Sequence, residues 1–83
     1  MTYEIYLKPQ AIKDLEGLSA ADRRRVTQKM EGLRNTPWTG VKKLTNYSPE
    51  YRLRIGSFRV LFEVEEESVM IYRIVPRKEA YRK

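Results

Sequence analysis

The stretch YRLRIGSFRVLFEV, from Tyr51 to Val64, leaves a chain few ways to fold. In its first arm Tyr51, Leu53 and Ile55 alternate with Arg52 and Arg54, the period of a strand covered on one face only. Gly56-Ser57 then offers a two-residue turn with glycine at its first central position, as a type II′ hairpin requires. That turn predicts the register: Ile55 opposite Phe58, Arg54 opposite Arg59, Leu53 opposite Val60. Directly paired residues share a face, so Arg52, Arg54 and Arg59 converge on one side of a hairpin whose other side is almost wholly apolar. Like charges opposed across strands destabilise by roughly 0.2–1 kcal/mol when exposed. Two readings account for their presence. One is a solvated outer face on a basic protein, with Glu63 on the same side easing the repulsion. The other is an anion site, since the planar guanidinium fork suits phosphate.

With 83 residues there is room for one core, so residues 1–83 are expected to form a single domain. A net charge of +6 and a pI near 9.8 favour a polyanionic or acidic partner. The chain has no Cys and no His, which excludes disulfides, thiolate chemistry, imidazole metal ligation and histidine acid/base catalysis. Arg, Lys, Tyr and carboxylates are what remains for catalysis, and no cofactor is expected. The start, MTYEIYLKPQ, lacks a basic segment followed by an apolar run, and no stretch approaches the length of a membrane span. The expectation is a cytoplasmic protein with no membrane contact.

Thr2 to Lys8 alternates and is predicted to be a first strand, with Tyr3, Ile5 and Leu7 inward and Pro9 ending it. Proline is welcome at a first helical position. Ala11, Leu15 and Leu18, with Ile12 beside them, make a short amphipathic helix closing near Gly17. Ser19 is the expected N-cap of a second helix, with Asp22 in its first turn and Val26, Met30 and Leu33 as the buried stripe. This helix must end before Thr36-Pro37. Its cations Arg23, Arg24, Arg25 and Lys29 read as a solvated face. Residues 37–49 read as turns, with Trp38 a lid on the core. After a polar turn at Glu65-Glu66-Glu67-Ser68, Val69 to Val75 is a further strand, stopped by Pro76; its register depends on loop length, which leaves Arg73 unplaced. The predicted architecture is α+β: an N-terminal strand, a helical hairpin, then an antiparallel meander, forming a four-stranded sheet with helices on its apolar face.

The order strand, helix, helix, then Lys43-Leu44, the Tyr51–Val64 hairpin and a closing PRKEAY from Pro76 to Tyr81 resembles the RelE toxins of bacterial type II toxin–antitoxin modules, within the wider RelE/ParE superfamily. The resemblance spans essentially the whole chain. It implies a RelE-like ribonuclease fold and a ribosome-dependent endonuclease that enters the A site, near 16S rRNA, and cuts the exposed mRNA codon. In that chemistry the ribose 2′-OH attacks the adjacent phosphate, leaving a 2′,3′-cyclic phosphate and a 5′-OH. Carried over residue by residue, it assigns catalytic roles to Arg52, Arg54, Arg59, Arg77 and Tyr81, and substrate binding to Lys43, Lys78 and Arg82. It also implies a cognate antitoxin that covers the arginine face or displaces the C-terminal tail.

The charge chemistry agrees with this assignment. Permanent cations gathered around one phosphate stabilise charge building on its non-bridging oxygens. Tyr81 could stack on a splayed base. The chain departs from relatives that carry lysines on the first hairpin arm, since both positions here are arginine, and Pro76 stands where some relatives have histidine. Arginine does not deprotonate usefully, so the general base stays open among Lys43, Glu50, Lys78 and Tyr81. Two other readings compete: a ParE-like gyrase inhibitor with no catalytic residues, and a member that grips RNA without cutting it.

Overall fold

The computed structural model describes residues 2–35, 41–44 and 49–76. Strand β1 (Glu4–Leu7) leads into α1 (Pro9–Glu16) and α2 (Ala20–Gly32). Four strands follow: β2 (Val41–Lys43), β3 (Tyr51–Ile55), β4 (Phe58–Glu65) and β5 (Ser68–Pro76). They form one sheet in the order β1-β5-β4-β3-β2, antiparallel except where β1 runs parallel to β5. The sheet thus has five strands among the described residues, one more than the sequence predicts. The addition is β2, within the stretch read as turns, and it is short and lysine-rich because it forms an edge that must not recruit other strands. Among the described residues no helix is long and apolar enough to cross a membrane.

The hairpin forms in the predicted register, with Ile55 opposite Phe58, Arg54 opposite Arg59 and Leu53 opposite Val60. Gly56 has φ 57° and Ser57 is not in the positive region, which is the type II′ pattern. The next hairpin also turns in two residues, with Glu65 opposite Ser68, but here the positive position is held by Glu66 at φ 54°. A side chain in this region costs roughly 1–2 kcal/mol. Gly56→Ala is therefore expected to lower unfolding free energy by about that amount, and Glu66→Gly to raise it by somewhat less, both measured by urea denaturation.

Both helices pack on one face of the sheet. Ala11 of α1, Val26 and Met30 of α2, and Leu33 just beyond it meet Leu53, Ile55, Val60, Phe62, Val69, Ile71 and Ile74 in the main core. Leu15 and Leu18 join its rim as expected, whereas Ile12 turns outward and is 44% exposed, because Ala11 rather than Ile12 faces the sheet. Ser19 caps α2 by accepting the Asp22 N–H at 3.2 Å. Arg23 is not an idle surface cation: its guanidinium donates to the carbonyls of Leu15, Glu16 and Leu18 at 3.0–3.3 Å, satisfying the end of α1 and tying the helical hairpin together. Arg24, Arg25 and Lys29 are exposed, as read.

Strand β5 carries a bulge. Leu61 is opposite Arg73 but Phe62 is opposite Ile71, so Tyr72 is an extra residue. Ile71 and Ile74, three residues apart, could not share a face of a regular strand; the bulge lets both enter the core and turns Val75 to the other side. Arg73, thus placed, pairs with Asp14 of α1 through Nε to Oδ2 at 2.8 Å and Nη2 to Oδ1 at 3.3 Å. The Ile74 N–H donates to the same Oδ2 at 2.9 Å, and Gln10 to Oδ1 at 3.2 Å.

Desolvation alone would raise the Asp14 pKa, but the bonds from Arg73, the Ile74 N–H and Gln10 outweigh it and hold the carboxyl below its ordinary 3.8. A depressed carboxyl contributes stability that is present above the unfolded-state pKa and lost as pH falls through the folded one. Wild-type stability should therefore decline from about pH 5 downward, and Asp14→Asn should flatten that limb in urea titrations at stepped pH.

Candidate nucleic-acid interface

The face of the sheet turned away from the helices is built by the register. Pairing sets Lys42, Arg52, Leu61 and Arg73 in one row across β2, β3, β4 and β5, and Arg54, Arg59 and Val75 in the next. Arg52, Arg54 and Arg59 thus converge on this side, as the sequence predicts. Glu63 is on it too, opposite Met70 and diagonal to Arg52. The three arginines differ in environment. Arg54 is exposed and Arg52 half-buried, but Arg59 is only 3% exposed, the one buried charged residue among those described.

The picture of a uniformly solvated outer face therefore fails at Arg59. It fails because β4 is an inner strand and the same face carries a small second core of Leu44, Leu61 and Val75, all under 10% exposed. Leu61 follows Arg59 by two positions on β4, and Val75 is its direct partner on β5. An arginine in such a place has its stem among apolar groups and its head held in a narrow range of positions. Desolvation also strengthens any interaction that its charge makes.

The fifth strand gives the lysines of residues 41–43 a register. Lys43 pairs with Tyr51, whose ring stacks on Phe62 at 5.8 Å, and so belongs to the helix-bearing side. Lys42, opposite Arg52, is the lysine in line with the arginines. Reading residues 41–43 as turn left both lysines without a register, so the sequence did not assign either to a face. Glu50 is half-buried, and its carbonyl accepts the Leu44 N–H at 2.6 Å just ahead of β3. Arg77, Lys78, Tyr81 and Arg82, like Trp38, lie outside the described residues. The chain reaches them from Pro76, which is opposite Phe58 and one position beyond the Arg59 row.

Sequence reading also missed Asp14. Its signal was an aspartate, a weak helix former, in the last turn of a short helix, where the helix dipole disfavours a negative charge and a tertiary partner offsets the cost.

Comparison with known proteins places the chain. The family described as the ParE toxin of the type II toxin–antitoxin system parDE matches residues 5–81. Toxin RelE3 of Methanocaldococcus jannaschii is 28% identical over 75 residues, covering 84% of this chain and 85% of that one. Among solved structures, the archaeal RelE–RelB complex of Pyrococcus horikoshii OT3 is similar at 30% identity and TM-score 0.79, over 96% of this chain and 100% of its counterpart. The chromosomal ParDE system of P. aeruginosa superposes with TM-score 0.77 at 13% identity, covering 90% of this chain and 96% of that one, a likeness of fold alone. With a family match over nearly its full length and relatives alike in sequence and fold, the chain belongs to the RelE/ParE family of toxins of type II toxin–antitoxin systems.

Proposed function

We propose that this toxin is a ribosome-dependent endoribonuclease that cuts mRNA in the A site. The observation carrying the proposal is the convergence of Arg52, Arg54 and buried Arg59 on the sheet face opposite the helices, in line with Lys42. A polyanion is the natural occupant of such a face, and the overall charge of +6 draws it in. In the reaction the 2′-oxygen forms a bond to phosphorus as the bond to the 5′-oxygen breaks. The 2′ proton leaves to a base or solvent, the 5′-oxygen takes one up, and the product is a 2′,3′-cyclic phosphate. Arg59 is assigned to the non-bridging oxygens, where a fixed cation is worth most in the transition state. Arg52, Arg54 and Lys42 hold the backbone, with Lys78 and Arg82 extending the grip. Arg77 acts electrostatically at the leaving oxygen, and Tyr81 stacks on a base. Of the candidate bases, Lys43 is on the far face, which narrows the choice to Glu50, Lys78 and Tyr81.

The partners of this reading are the ribosome with its 16S rRNA, mRNA, and a cognate antitoxin, as the RelE–RelB complexes among the similar structures suggest, for which the cationic face favours an acidic or amphipathic segment; the site of action is the cytoplasm. A second reading, gyrase inhibition by binding alone, is favoured by the ParE description of the matching family. Primer extension on a defined mRNA, with ribosomes stalled at a known codon, tests the choice. Cuts confined to the A-site codon and dependent on ribosomes support the nuclease. No cuts, with inhibition in a DNA supercoiling assay, would replace it by the gyrase reading.

A further inference from the structure

Among the described residues, the end of β5 is paired with a strand on one side only. β1 stops at Leu7, opposite Ile71, because Lys8 is the N-cap of α1 and Pro9 its first residue. Beyond Ile71, what meets the outer edge of β5 is the Asp14 carboxylate. Its Oδ2 accepts the Ile74 N–H at 2.9 Å and the Arg73 Nε at 2.8 Å, and its Oδ1 takes the Arg73 Nη2 and Gln10. One side chain therefore stands where the carbonyl of a neighbouring strand would. It is well shielded, at 11% exposure, and Gln10 fixes it from within its own helix. On their inner edge the same residues of β5 flank the cationic face, with Val75 opposite Arg59 and Pro76 opposite Phe58.

We propose that Asp14 is a positioning residue for the arginine face: by pinning Arg73 and Ile74 it fixes Val75 against Arg59 and sets the place of Pro76, from which the chain continues to Arg77. Asp14 touches no substrate and acts through β5. The bulge at Tyr72 makes such a pin necessary, because the extra residue loosens the ladder just past Ile71, where β5 has also lost β1 as its outer neighbour. The rate readout below rests on the nuclease reading; the exchange readout does not.

The test compares amide hydrogen exchange and single-turnover cleavage on stalled ribosomes for wild type, Asp14→Ala and Asp14→Asn. In Asp14→Ala, exchange at Arg73, Ile74 and Val75 should quicken roughly tenfold or more while Phe62 and Val69 stay protected. Its cleavage rate at saturating toxin should fall roughly tenfold with less than a twofold change in the half-saturating concentration, the mark of lost alignment rather than lost grip. Asp14→Asn, which keeps an oxygen for the Ile74 N–H, should recover most of both. Unchanged exchange at 73–75, or faster exchange across the whole sheet, would overturn the proposal. So would wild-type cleavage by a variant whose β5 end has loosened. If wild type itself cuts nothing, the nuclease reading fails and the exchange pattern alone decides for or against the pin.

Discussion

Arg59→Ala is expected to lower the single-turnover rate of A-site cleavage by about 10²–10³-fold, the usual effect of removing one preorganised group that stabilises transition-state charge. The size follows from where this arginine is. Arg54 shares its row but is exposed, so water screens it, and Arg54→Ala should cost far less, on the order of tenfold. Arg59 is withdrawn from water on an inner strand, beside Val75 and near Leu61. Its charge acts at close to full strength and needs little reorganisation as the reaction proceeds. Arg59→Lys should restore only part of the rate, because a point charge on a flexible stem replaces a planar fork. None of the three substitutions touches the main core; in the two alanine variants relief of the Arg54–Arg59 repulsion offsets part of what is lost in packing, and in Arg59→Lys the aliphatic stem is kept, so melting temperatures should fall only modestly. A ribosome-bound Arg59→Ala protein that cuts at the wild-type rate would refute the role given to this face.

Phe62→Ala should lower unfolding free energy by about 3–5 kcal/mol. Phe62 is fully buried at the centre of β4, stacked on Tyr51 and opposite Ile71, and no smaller side chain fills the space between the sheet and α2. A domain this small holds a stability toward the low end of about 5–15 kcal/mol, so most of its margin disappears with one ring. The urea midpoint should fall steeply. A ligand that binds only the folded state adds stability by mass action, so co-expression with the antitoxin should rescue soluble Phe62→Ala protein. Failure of that rescue would mean that the antitoxin does not favour the folded toxin.

Much of this was legible in the residues, and what was not has physical causes. The Tyr51–Val64 hairpin could be read to its register because alternation and a glycine turn agree there. The helices were equally plain from their apolar spacing and the Ser19 cap. β2 was hidden because three residues, two of them lysine, carry no period, and without it neither Lys42 nor Lys43 could be assigned to a face of the sheet. β5 was ambiguous because its pattern changes phase at Tyr72, and a bulge is a property of pairing rather than of either strand alone. The burial of Arg59 was invisible for a similar reason: alternation says which face a residue takes, not what else lies on that face. Asp14 owes its importance to Ile74, far along the chain, and no local rule connects them.

The parallel pairing of β1 with β5 also governs when the molecule can exist. Ile5 leaves the ribosome long before Val69, its partner in the sheet, and Leu7 waits for Ile71. Closing so long a loop comes late in folding, after the local hairpins and helices have formed. Throughout most of its synthesis the chain is therefore an unfinished sheet with an apolar first strand and no place to put it. The arginine face is complete only once β5 has emerged and paired with β4. A toxin of this topology thus reaches its working form only after its first strand has found a partner far along the chain, and a partner protein that binds the finished sheet meets it only then.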